Sequence, residues 1–113
     1  MHGDPAFFEI GVPDSARARA FYGRLFHWEF PPFGENGQVW IRTPRAKGGL
    51  HEEDPSAPIL MFFEVDDIEA AVRTVRELGG SAEDPGPEES GLGRFAMCVD
   101  DQGVRFGLHR AAG

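Results

Sequence analysis

Ile59-Leu60-Met61-Phe62-Phe63-Glu64-Val65-Asp66-Asp67 runs without a break into Ile68-Glu69-Ala70-Ala71-Val72-Arg73-Thr74-Val75-Arg76-Glu77-Leu78-Gly79-Gly80. The first part reads as an apolar strand ending in an acidic turn, the second as an amphipathic helix closed by glycine. An earlier stretch has the same design: Ala6-Phe7-Phe8-Glu9-Ile10-Gly11-Val12-Pro13-Asp14 leads into Ser15-Ala16-Arg17-Ala18-Arg19-Ala20-Phe21-Tyr22-Gly23-Arg24-Leu25-Phe26. Aligning Val12 with Val65 also brings Asp14 onto Asp67 and Leu25 onto Leu78. The chain therefore reads as one supersecondary unit written twice.

A length of 113 residues suits a single domain, residues 1–113, large enough to bury a core without disulfides or a structural metal. The net charge of -8 leaves no basic footprint and argues against nucleic acid and anionic membrane as partners. No apolar run is long enough to span a bilayer and no leader pattern opens the sequence, so the expected compartment is the cytoplasm. Cys98, between Met97 and Val99, reads as a small core or cleft residue that can form no internal bridge.

Taken in order, strand one covers Ala6 to Val12, and Asp14 or Ser15 caps the first helix by accepting its free amides. Ala18, Phe21, Tyr22 and Leu25 recur at helical spacing on one face of that helix. Trp28-Glu29-Phe30 reads as a second strand before Pro31-Pro32, with a turn at Gly34-Glu35-Asn36-Gly37. Gln38 to Thr43 alternates as a third strand and Gly48 to Glu52 forms a fourth. A linker, residues 53–58, separates this unit (about residues 5–52) from the second (59–110). There the helix presents Ile68, Ala71, Val72, Val75 and Leu78, and strands follow at Ser81–Asp84, Arg94–Val99 and Val104–Arg110. Each unit is βαβββ.

These residues resemble the vicinal oxygen chelate superfamily, which includes glyoxalase, bleomycin-resistance and extradiol-dioxygenase proteins. The carriers are Glu9-Ile10-Gly11-Val12-Pro13-Asp14 with Ala20-Phe21-Tyr22 and Leu25-Phe26-His27-Trp28, then Val65-Asp66-Asp67 with Leu78-Gly79-Gly80, Gly93-Arg94-Phe95-Ala96, Asp100-Asp101-Gln102-Gly103 and Phe106-Gly107-Leu108. The resemblance covers essentially the whole chain and implies an α+β fold, two tandem units forming one curved, cup-like mixed sheet with helices outside. It also implies a homodimer, which would cover exposed sheet margins. It does not imply one reaction, because this scaffold hosts many.

Strand alternation assigns faces. If Phe8, Ile10, Val12, Val39, Ile41, Met61, Phe63, Val65, Phe95, Met97, Val99, Phe106 and Leu108 pack under the helices, their neighbours face the cup. Those neighbours include Phe7, Trp40, Arg42, His51, Leu60, Phe62, Arg94, Arg105 and His109 as ligand-binding residues. Glu9 and Glu64 are the candidate catalytic carboxylates, and Cys98 and Gly107 share the face. Aromatic surface with a few polar groups suits a small-molecule site, although such charges also pair across solvated sheets with no further role. Phe62→Ala is accordingly predicted to weaken binding more than stability, and Phe63→Ala the reverse.

In metal-chelating relatives, the resemblance places ligands near the start of the first strand and on the last strand of each unit. Here those positions are Phe7, Gly49, Leu60 and Gly107, none of which offers a donor, so no metal or other cofactor is expected. A displaced set of Glu9, His51, Glu64 and His109 is the alternative donor group; His2 and His27 read as incidental. Three functions compete. One is a metal-independent binder of an aromatic or planar metabolite or antibiotic, held by Trp40, Phe62 and Phe7. The second is a lyase- or isomerase-type enzyme with Glu9 or Glu64 as general base, since desolvation raises a carboxylate's pKa toward that role. The third is a structural or regulatory subunit whose cup is a protein interface.

Overall fold

The computed structural model describes residues 3–33, 38–52 and 59–112. The expected turn at 34–37, the linker at 53–58 and His2 lie outside them. The elements are β1 (Asp4–Gly11), α1 (Ser15–Phe26), β2 (Pro32–Phe33), β3 (Gln38–Arg42), β4 (Lys47–His51), β5 (Ile59–Glu64), α2 (Ile68–Glu77), β6 (Ser81–Ala82), β7 (Arg94–Val99) and β8 (Arg105–Arg110). The class is α+β, with the βαβββ order present twice. Two compact units result: Phe7–Leu60, and Met61–Gly113 with the N-terminal residues as far as Ala6.

In the N-terminal unit the strand order is β2-β3-β4-β1, with β1 and β4 parallel and the other pairs antiparallel. The C-terminal unit mirrors this as β5-β8-β7-β6, with β5 and β8 parallel. The duplication extends to single hydrogen bonds. Val12 donates to the His51 carbonyl and Val65 to the His109 carbonyl, each at 2.9 Å. Asp14 caps α1 by accepting from the Arg17 amide at 3.1 Å, and Asp67 caps α2 by accepting from Ala70 at 3.0 Å. Each cap satisfies an amide that the first helical turn leaves without a partner. The Ser15 amide donates to the Glu52 side chain at 3.1 Å, which ties the start of α1 to the end of β4.

Each helix lies on one face of its own sheet. Ile10, Ala18, Val39, Ile41 and Leu50 form the N-terminal core, with Phe8, Val12, Tyr22, Trp28 and Phe30 packed against it. The C-terminal core is Val65, Ile68, Val72, Ala96, Cys98 and Leu108, flanked by Ala71, Val75, Ala82 and Phe106. The apolar stripes expected on the helices are only partly buried. Ala18 and Tyr22 turn inward, but Phe21 and Leu25 are 62% and 55% exposed, and Leu78 is 73% exposed. Only Ser15 and Ala18 of α1 and Ile68 and Val72 of α2 are buried, so the margins of each apolar stripe remain in water.

Several strand boundaries differ from expectation by a residue or more, and three of the differences have a local cause. Trp28-Glu29-Phe30 is not a strand: Glu29 makes an isolated bridge to Arg42, and β2 follows at Pro32–Phe33. Proline tolerates this edge position because β2 has a neighbour on one side only. The third strand ends at Arg42, before Thr43, whose hydroxyl turns the chain by bonding with Ala46. The sixth strand stops at Ala82, where Arg76 captures the Ala82 carbonyl at 2.8 Å and Asp84 at 3.0 Å.

Candidate functional site

In the N-terminal unit, β1, β3 and β4 put their non-core side chains on one face. Glu9 is registered opposite Gly49, and Gly49 opposite Trp40. His51 Nε2 lies 3.1 Å from Glu9 Oε1, with both side chains about one-third exposed. One strand position away, the Phe7 ring meets Trp40 edge-on at a centroid separation of 6.2 Å. The Lys47 ammonium sits 4.2 Å from the centre of the Trp40 ring, close enough for a cation–π attraction. Lys47 was absent from the sequence-derived set. It alternates with Gly49 and His51 along β4, so the parity rule that selected His51 selects it too.

Gly49 stands between the acid–imidazole pair and the aromatic pair. A methyl group there would meet the Phe7 ring at 3.6 Å and Glu9 Cγ at 3.9 Å, ordinary contact distances. Its repeat equivalent differs: Gly107 lies against the flat of the Phe62 ring, and any Cβ would overlap it. Phe62 is registered opposite Gly107 and Glu64 opposite His109. The repeat thus places both histidines at equivalent positions, but with different neighbours.

Arg42 is exposed and pairs with Glu29 at 3.1 Å, a solvent-screened contact beside the site. Phe7 and Leu60 are buried, and Phe62 is 1% exposed. Phe62 is therefore a packing residue, T-shaped against Phe95 at 5.4 Å, and not an open stacking surface. His109 is also committed: its ring stacks on Phe95 at 4.6 Å, and Nε2 lies 2.7 Å from the Leu92 carbonyl. A carbonyl only accepts, so Nε2 carries the proton. Arg105 is exposed and borders a depression with Ser81, Glu83 and Met97.

On β7 the expected parity is reversed. Arg94 points to the helix side, donating to the Gly86 carbonyl at 2.8 Å and pairing with Glu69 of α2 at 3.5 Å. Cys98 lies in the core beneath α2, and burial pushes its thiol pKa up. Phe95 faces the opposite way, onto Phe62 and His109. Because Phe95, Met97 and Val99 are the bulky apolar residues of the strand, assigning them to the core was natural. The turn after Val99 settles the matter differently. It pairs Val99 with Arg105 and Cys98 with Phe106, and directly opposed antiparallel residues share a face.

The Glyoxalase/Bleomycin resistance protein/Dioxygenase superfamily profile matches residues 5–108, and the chain belongs to that superfamily. Among curated relatives it is 30% identical to the anthracycline biosynthesis protein DnrV of Streptomyces peucetius, an alignment covering 96% of this chain and 47% of that protein. It thus spans about half the length of that relative. It is also 30% identical to a glyoxylase-like domain-containing protein of Didymella fabae, over 71% of each. Methylmalonyl-CoA epimerase from Mycobacterium tuberculosis shares the fold, with a TM-score of 0.74 at 18% identity over 97% of this chain and 89% of that one.

Metal-holding members of the superfamily set the test for the donor groups. Phe7, Gly49, Leu60 and Gly107 offer no lone pair for a cation, and the space beside Gly107 is taken by the Phe62 ring. Among the described residues, no three His, Cys, Asp or Glu side chains gather closely enough to hold a metal ion. Within the N-terminal unit, Glu9 and His51 meet as a pair. Neither the four donor-free positions nor this pair by itself supplies the three or more ligands that a protein-held divalent ion takes.

Proposed function

We propose that the protein is a metal-independent binder of a planar aromatic metabolite or antibiotic, with Trp40 as the principal contact. The observation carrying this reading is the shared face on which Lys47 and Phe7 flank the half-buried Trp40 ring, with the Glu9–His51 pair one position away. An indole face stacks on planar rings. An ammonium and an acid–imidazole pair can then fix polar substituents at the ring edge. Similarity to an anthracycline biosynthesis protein supports the ligand class, because anthracyclines are planar polycyclic aromatics. The assembly in this reading is a homodimer, and the compartment is the cytoplasm, where a buried thiol such as Cys98 stays reduced. No helix among the described residues is long and apolar enough to cross a membrane.

The test is a fluorescence titration on a Trp28→Phe background, which leaves Trp40 as the sole indole. Planar polycyclic quinones and aromatic acids are expected to quench it saturably, and Lys47→Ala to weaken the binding. Absence of saturable quenching by any of them would sink the proposal.

The Glu9–His51 contact favours a second reading as a lyase- or isomerase-type enzyme, with Glu9 as proton acceptor and His51 orienting it. A shared fold with an epimerase supports that class. Glu64 is the weaker candidate, since the histidine opposite it is tied to Leu92. Under this reading Glu9→Gln abolishes turnover while leaving ligand affinity intact, and parallel loss of both would refute it.

A further inference from the structure

We infer that the ligand held at Trp40 is an aromatic acid, and that Lys47, at the end of the β3–β4 hairpin, is the subsite for its carboxylate. The inference deepens the proposed function and rests on Trp40 as the stacking surface. Lys47 is the only lysine among the chain's 11 basic residues. Its ammonium stands 4.2 Å from the centre of the Trp40 ring. Among the described residues, no carboxylate pairs with it.

Strand pairing concentrates positive charge here. Arg42 is registered directly opposite Lys47, and directly opposed antiparallel residues carry their side chains on one face, where two like charges repel. Arg42 is compensated by Glu29 at 3.1 Å, which leaves Lys47 with the indole alone. Arg45 is exposed in the turn between the two strands, so residues 42–47 hold three bases and no acid in a chain of net charge -8. The acids that border this face are engaged: Glu9 meets His51 Nε2 at 3.1 Å, and Glu29 holds Arg42. An incoming carboxylate therefore finds one uncompensated cation beside the ring.

The position of that cation discriminates between ligands. A planar ring that stacks on the indole face where Lys47 stands must displace the ammonium, and the flexible side chain can swing it to the ring edge with no movement of the strand. A neutral ring returns nothing for the cation–π attraction that is lost. An aryl carboxylate replaces it with a charge-assisted hydrogen bond. Lys47 thus favours acids over neutral rings of the same shape.

The test compares anthraquinone carboxylate with its neutral carboxamide by titration of Trp40 fluorescence on the Trp28→Phe background. The carboxylate is expected to bind about tenfold more tightly. That advantage is expected to shrink as ionic strength rises from about 0.01 M to about 1 M, over which the screening length falls from about 30 Å to about 3 Å. Lys47→Met keeps an apolar stem against the ring and removes the charge, so it is expected to erase the difference while the carboxamide binds no more weakly than before. The single lysine gives a second readout on the unaltered protein: acetylation by an amine-specific reagent, followed by mass spectrometry of the peptide containing Lys47, is expected to be slowed by the carboxylate and not by the carboxamide. Quenching by neither compound overturns the binding reading and this inference with it. Equal affinities, or an equal loss for both compounds in Lys47→Met, overturn the aromatic acid and leave Trp40 as the contact. A carboxylate preference that survives Lys47→Met, with no protection of Lys47 from acetylation, overturns Lys47 as its subsite.

Discussion

Gly49 and Gly107 occupy the same place in the two repeats, yet the same methyl group has opposite consequences. At Gly49 it meets its neighbours at 3.6 Å or more, whereas at Gly107 it collides with a ring that has no room to withdraw. Gly49→Ala is expected to leave the melting temperature nearly unchanged. Gly107→Ala is expected to cost about 1–3 kcal/mol, as overpacking of a tight site does, read from urea denaturation. Phe62 makes the reciprocal case. At 1% exposure its truncation to alanine is expected to cost about 3–5 kcal/mol, so loss of binding in that variant reports unfolding. Trp40→Ala, half-buried and beside Lys47, is the substitution that separates binding from folding; equal destabilisation by both would contradict the assigned roles.

At the scale of elements, the β7–β8 hairpin is organised by one carboxylate. Asp100 accepts from the Gln102 amide at 2.8 Å and the Val104 amide at 2.9 Å. The hydrogen bond from Val104, then that from Gln102, holds its pKa below the usual carboxylate range. A depressed folded-state pKa contributes stability that is fully present above the unfolded value of about 3.9 and is lost as pH falls through the folded value. Wild type is therefore expected to lose stability relative to Asp100→Ala as acid denaturation is followed below that point, the two curves converging at low pH. Parallel curves would show that the carboxylate contributes nothing through its charge. The helix caps offer a comparison: Asp67→Ala removes the bond to the Ala70 amide and is expected to cost about 0.5–2 kcal/mol.

For the molecule as a whole, the donor inventory predicts the response to chelation. With no donor atom on the side chains of Phe7, Gly49, Leu60 and Gly107 and the Phe62 ring seated over Gly107, extensive treatment with a chelator is expected to leave both the melting temperature and the Trp40 titration unchanged. A stabilising ion at a hundred times its dissociation constant adds about 2.7 kcal/mol, a shift that thermal denaturation resolves. One equivalent of zinc, nickel, manganese or iron by elemental analysis, lost on His51→Ala with His109→Ala, would return the chain to the metal-dependent members of its superfamily.

The repeat, the βαβββ order and a capped start to the first helix were legible from residue order alone, because each is a local pattern with a period or a spacing; the structure chose Asp14 over Ser15 and added Asp67 as the cap of α2. Family membership followed, since the matching motifs span the chain. The faces of β1 and β3 were legible too: Val39 and Ile41 alternate with Trp40 and Arg42, and polarity there agrees with parity. On β7 polarity gave no answer, because Phe95, Met97 and Val99 are apolar on one face while Ala96 and Cys98 are apolar on the other. The pairing imposed by the Asp100–Gly103 turn decided it, turning Arg94 and Cys98 to the helix side and Phe95 to the opposite face. Burial was likewise a tertiary outcome. Whether Phe62 would stack on a ligand or on Gly107 depends on how two strands approach, and exposure of Phe21 and Leu25 depends on how much of α1 its sheet can cover. Sequence periodicity marks which side chains can face a sheet; the contact area of that sheet determines which of them it shields from water.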